Sequence, residues 1–140
     1  MEWKAVMLSL EEALKQSLQS WRLLKRDEEG AVLVGDYFFA PDFPGFAGHF
    51  PESPILPAVV QLAAVRYLAE LAVASNLRTV GCQGAKFRVM VRPRELLTVS
   101  LNLAARAELP GWQAKFKLTG ADGLVARGKL DFASPSDFVT

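Results

Sequence analysis

The chain has 140 residues, 51% of them hydrophobic, which is the size of one domain in which folding hides roughly two-thirds of the unfolded surface. Sixteen basic and fifteen acidic side chains leave a net charge of +1, so no overall field draws nucleic acid or an anionic membrane, although local patches remain open. Cys82 is the single cysteine and has no intrachain disulfide partner; with no basic, apolar and cleavage-site sequence at the N-terminus, a cytoplasmic setting is expected.

In chain order, Ser9 followed by Glu12 has capping-box spacing, and Leu10, Leu14 and Leu18 recur at helical intervals. A short amphipathic helix is expected to start near Leu10. Two strands follow, Trp21 to Glu29 and Ala31 to Ala40, turning at Gly30 as a hairpin. The stretch from Pro41 to Pro57 carries five prolines and two glycines. These exclude regular structure and fix a rigid loop, a common place for functional residues.

Pro57 suits the first turn of a helix expected to run to about Ser75, since its missing N–H would have no partner there in any case. The apolar region from Ile55 to Ala74 contains Gln61, Arg66 and Glu70, which argues for a buried core helix and against a membrane span. Arg66 and Glu70 have i,i+4 spacing and are expected to pair. Four strands should follow: Thr79 to Val91, Leu96 to Arg106, Trp112 to Ala121 and Leu124 to Ala133. They are broken at Pro93, Pro110-Gly111 and Asp122-Gly123. No internal repeat or interdomain linker is visible, so residues 1–140 are expected to form one domain. A long apolar helix set among antiparallel strands implies an α+β fold with the sheet wrapped around the helix.

The segment Gly48-His49-Phe50-Pro51-Glu52-Ser53-Pro54-Ile55-Leu56-Pro57 resembles the His-Phe-Pro-x-x-Pro-x-x-Pro signature of the 3-hydroxyacyl-(acyl-carrier-protein) dehydratases. Five positions match at fixed spacing. Lys86-Phe87-Arg88, Pro93 and the stretch from Gly123 to Phe132 are similar to later parts of the same family. The wording Ile-Leu-Pro-Ala-Val-Val-Gln-Leu is similar to its aryl-polyene-type thioester dehydratase branch. The resemblance implies a hot-dog fold and dehydration of a 3-hydroxyacyl thioester to the trans-2-enoyl product, in fatty-acid or polyketide-like synthesis.

For site residues, the resemblance makes His49 the base that removes the C2 proton. An imidazole with a pKa of about 6.5 suits that task at neutral pH. Taken without its neighbours, a lone histidine is more often structural or solvated. The backbone N–H of Ala58, where the family normally has glycine, would stabilise the charge developing on the thioester oxygen, and Val59 beside it would contact substrate. The family's acid, a Glu or Asp on the central helix, falls at Ala63. Loss of a general acid typically removes a factor of about 10²–10⁴. Tyr67, one turn later, is a second candidate to meet the substrate hydroxyl, though a phenol with a pKa of about 10 is a weak acid.

The partner implied is acyl carrier protein with a phosphopantetheine-linked acyl chain; Lys86, Arg88, Arg92 and Arg94 would meet its acidic surface or merely form a solvated face. A homodimer, or a higher assembly of dimers, is implied, and a heterodimer with an acid-bearing homologue would complete a site that lacks its own acid. No metal, dissociable cofactor or nucleic acid is expected. Phe38, Phe39, Phe43, Phe46 and Phe50 either line an acyl tunnel or fill core, and Cys82 is expected to be a buried apolar residue. Two other functions stay open, a non-catalytic acyl-thioester-binding homologue and a hot-dog thioesterase.

Overall fold

A computed structural model describes residues 3–46 and 54–134, with side chains from residue 10 onward. The first helix, α1, spans Trp3–Ser17, so it begins well before Leu10. No helix breaker precedes Ser9, and the Ser9–Glu12 pattern therefore falls inside the helix instead of capping it. Leu14 is buried, Ser17 closes the last turn by donating from Oγ to the Ala13 carbonyl at 2.8 Å, and Leu18 opens a strand.

Among the described residues six strands form one antiparallel sheet: β1 (Leu18–Arg26), β2 (Gly30–Phe38), β3 (Arg78–Phe87), β4 (Leu96–Ala105), β5 (Trp112–Gly120) and β6 (Gly123–Ala133). Their spatial order is β1-β2-β4-β5-β6-β3. The β1–β2 turn is tied by Asp27, whose Oδ1 accepts from the amides of Glu29 (2.9 Å) and Gly30 (3.1 Å), a side chain standing in for a backbone turn. At the β5–β6 hairpin, Gly123 holds φ +106°, a conformation natural to glycine. β3 ends at Phe87, short of the expected Val91; the amides of Arg88 and Val89 still donate to the Val125 carbonyl of β6 at 2.7 and 3.4 Å, and regular pairing stops there.

Alternation decides which face is inside. On β4, Leu97, Val99, Leu101 and Leu103 are buried, as are Ala114, Phe116 and Leu118 on β5. The helix α2, Ala58–Val73, fills the hollow they form. Val60, Ala64, Leu68 and Ala72 recur every four residues and are all buried, with Gln61, Val65 and Ala69 beside them. This is the hot-dog fold. Among the described residues no helix is long and apolar enough to cross a membrane.

Polar anchoring of α2 differs from the sequence expectation. Arg66 does not pair with Glu70. Its Nη2 donates to Glu11 Oε1 of α1 at 2.6 Å, while Glu70 Oε2 accepts the amide of Leu77 at 2.8 Å. The tight return after Ala74, which holds a left-handed φ of 55°, brings Leu77 back under Glu70, and a backbone donor there wins over a mobile guanidinium. Arg26 Nη1 donates to the Ala72 carbonyl at 3.1 Å, satisfying a group that a helix end would leave open. Tyr37 Oη donates to the Ala64 carbonyl at 2.7 Å from a fully buried position; burial pushes its phenol far above the ordinary range, and nearby Tyr67 adds to the effect.

Candidate functional site

The N-terminal end of α2 is where the expected chemistry converges. Pro57 occupies the N-cap position with extended backbone (φ −62°, ψ 152°) and offers no side-chain cap. Its carbonyl accepts from Val60 and Gln61, both at 3.1 Å. The amides of Ala58 and Val59 therefore have no backbone partner among the described residues, and both residues are exposed. Gln61 is buried and donates from Nε2 to the Leu56 carbonyl at 3.1 Å, while its Oε1 has no partner among the described residues. That amide is a polar group on the helix turn that adjoins the proline-rich loop.

A cleft of about 460 Å³ opens beside this helix end. One wall is α2, through Val59, Leu62, Ala63 and Arg66; a second is α1, through Leu10, Glu11 and Leu14; the start of β3 closes it with Leu77, Arg78 and Thr79. The wall is largely apolar, with its charge concentrated in the Glu11–Arg66 pair and Arg78. Such a cleft suits an acyl chain carrying one polar function.

The structure thus brings Val59 and Ala63 together on one cleft wall and puts Ala58 at the adjoining helix start. Tyr67 is elsewhere. Its half-buried ring packs on the core with Lys15 Nζ 5.8 Å from the ring centroid, and it is not part of the cleft wall. His49 lies outside the described residues, as does Phe50. Phe39, Phe43 and Phe46 are buried and pack in series with Tyr37, at centroid separations of 5.7, 4.8 and 5.7 Å, so these three fill core; Phe38 points outward, 38% exposed. Cys82 is exposed, not buried, because β3 is an edge strand whose single described neighbour is β6.

Two features escaped the sequence. The first is Glu11, which contacts Arg66 across 55 residues of chain; no local spacing reports such a contact. The second is a group of cations on the outer face of the sheet. Lys115 stands opposite Lys129, Lys117 opposite Arg127, and Arg127 opposite Lys86. All five are exposed and none forms an ion pair among the described residues. The neighbouring Asp131 is taken by Gln83 at 2.7 Å and Gln113 at 2.8 Å. Like charges placed directly opposite one another are destabilising, so this face carries concentrated positive charge that no ion pair among the described residues offsets. The i,i+2 repeats Lys115/Lys117 and Arg127/Lys129 are its signal in the sequence. Arg88, Arg92 and Arg94 are exposed as well.

The ApeI-like family model, described as ApeI dehydratase, matches residues 25–129. The chain belongs to the ApeI-like dehydratase family. A 3-hydroxyacyl-(acyl-carrier-protein) dehydratase FabZ of Chloroflexus aggregans is 30% identical over 139 residues, spanning 91% of this chain and 96% of that one. Among solved structures, the ApeI:P dehydratase heterocomplex of Xenorhabdus doucetiae matches with TM-score 0.58 and 20% identity over 82% of this chain and 99% of that one. A hypothetical thioesterase of Streptococcus pneumoniae, solved with coenzyme A, matches with TM-score 0.57 at 8% identity over 91% and 95% of the two chains. Likeness at these identities shows the hot-dog fold alone, which hosts more than one thioester chemistry.

Proposed function

We propose that this ApeI-like dehydratase removes water from a 3-hydroxyacyl thioester carried on acyl carrier protein, giving the trans-2-enoyl thioester. The observation that carries the reading is the match to dehydratases across the chain, together with an apolar cleft that ends at the start of α2. His49 acts as the base at C2. The amide of Ala58, at an uncapped helix start, stabilises the charge that develops on the thioester oxygen; a methyl group where the family has glycine leaves that donor intact.

Acyl carrier protein is the partner that the outer cationic face supports. Its five exposed cations would raise the encounter rate with an acidic carrier. A paired assembly is supported by the edge of β3, where Val80 (44% exposed) lies beside a ladder unpaired among the described residues; exposed strand edges ordinarily have to be covered. A second reading, a subunit completed by an acid-bearing homologue, is favoured by Ala63, and the ApeI:P structure is itself a heterocomplex.

The test is to incubate the chain alone with 3-hydroxyacyl carrier protein and measure the loss of water by mass spectrometry. His49→Ala should lower the rate by a factor of about 10²–10⁴ while leaving the thermal midpoint nearly unchanged. Hydrolysis to free acid would indicate a thioesterase. No turnover until an acid-bearing homologue is added would establish the subunit reading.

A further inference from the structure

Among the described residues, the cleft that exposes Ala63 contains one carboxylate, and it comes from a different helix. Glu11 projects from α1 into the same space, and Arg66, one turn beyond Ala63 on α2, grips its Oε1 at 2.6 Å. The pair is semi-enclosed, with Arg66 at 23% and Glu11 at 42% side-chain exposure. A surface ion pair of this kind contributes little to stability. Its placement is more informative: a short residue on α2 leaves room, and a clamped carboxylate from α1 faces that room. The surrounding wall is apolar, through Leu14, Val59 and Leu77. Arg78 and Thr79 add polar groups at the β3 end of the cleft, and among the described residues Glu11 is its carboxylate acceptor.

We propose that Glu11, held by Arg66, receives the 3-hydroxyl of the substrate in place of the helix carboxylate missing at Ala63. The inference rests on the dehydratase reading and names the residue that orients the leaving group. Arg66 engages Oε1, and Oε2 is the oxygen offered to the substrate hydroxyl as acceptor. The elimination then balances without a separate acid. His49 takes the C2 proton, the C–H electron pair becomes the C2=C3 bond, and the C3–O pair departs with oxygen. That oxygen takes the proton from the His49 imidazolium, so water leaves and the imidazole is restored. Glu11 gives up no proton. Its contribution is to fix the C3–O bond in line with the breaking C2–H bond, as an oriented contact can.

The experiment uses the full chain and two thioethers that cannot eliminate, S-(3-hydroxybutyl)-pantetheine and S-butyl-pantetheine, which differ by one hydroxyl. Calorimetry should give wild type a preference of roughly tenfold or more for the hydroxylated probe, the size of a hydrogen bond to a charged group. Glu11→Ala should abolish that preference and lower turnover of the 3-hydroxyacyl thioester about 10-fold or more, with a thermal midpoint close to wild type. Arg66→Met should weaken both. Adding Ala63→Glu to the Glu11→Ala chain should restore both, by returning a carboxylate to α2. Equal discrimination in wild type and Glu11→Ala would overturn the proposal, as would a loss of thermal stability in both single variants with discrimination kept, since the pair would then be only a clamp between helices. If wild type fails to dehydrate, both alone and with an acid-bearing homologue, yet prefers the hydroxylated probe through Glu11, the dehydratase reading falls and the hydroxyl site stands.

Discussion

The two faces of α2 follow different rules. On the inner face every fourth residue is apolar and buried, and the fit is close enough that a Cβ added to Gly35 of β2 would lie 3.0 Å from Leu68 Cδ1. On the outer face Val59 is 71% exposed, Ala63 is half-buried, and Arg66 reaches across to α1. One face is set by packing volume, the other by what approaches it. Ala63 stands between the two: alanine is a good helix former, and its methyl group packs half-buried against the core from the cleft side.

The inner face should break first and hardest. Leu68→Ala removes a fully buried side chain against a glycine that offers nothing to refill the space. The expected cost is about 2–5 kcal/mol, read as a lower urea midpoint at unchanged slope. A cost near that of a surface substitution would mean that α2 is not the centre of the core.

A smaller effect, about 1 kcal/mol, is expected from Tyr37→Phe, which deletes the buried bond to the Ala64 carbonyl but keeps the ring. This variant also has a pH signature. The folded phenol is raised above its ordinary value of 10.0 by burial first and by Tyr67 second. Unfolding therefore releases a proton once the pH passes 10, and wild type loses stability as pH rises above that point. Tyr37→Phe lacks this term. Its denaturation midpoint should decline less between pH 9 and 11, so the gap to wild type narrows on the alkaline side; parallel curves would mean that the hydroxyl is not buried when folded.

How much of this was legible in the sequence depends on the range of the interaction. The strands were legible because alternation is local: Leu97, Val99, Leu101 and Leu103 announce the inner face of β4 by themselves. Proline and glycine marked the breaks for the same reason. The start of α1 was misread because Ser9 and Glu12 satisfy a capping pattern that also fits a helix interior. The Arg66 and Glu70 assignment failed because i,i+4 spacing creates an opportunity that two long-range partners, Glu11 and the Leu77 amide, outcompeted. Cys82 was misjudged because composition favours burial while position on an edge strand decides it. At the site, the His-Phe-Pro motif and the alanine at position 63 directed attention to the start of α2, and the structure opens a cleft there that Ala63 lines. The contact between Glu11 and Arg66 was not legible, because only folding brings α1 against α2.

The outer face should register the smallest change in stability and a measurable change in binding. Val59→Ser shortens and polarises a side chain that is mostly in solvent, so the unfolding free energy of the chain should move by no more than about 0.5 kcal/mol. Val59 nevertheless lines the cleft. If an acyl chain lies against it, the substitution removes apolar contact from the complex alone, and KM for the 3-hydroxyacyl thioester should rise about three- to tenfold with kcat little altered, since the lost contact is made equally before and during reaction. The measurement needs urea curves at two protein concentrations. A midpoint that falls for Val59→Ser and depends on concentration would place this valine in a subunit contact, where its exposure in the single chain is covered by a partner. An unchanged KM together with unchanged stability would put the acyl chain on another wall, and the functional half of the contrast between the two faces would then rest on Ala63 and Arg66 alone.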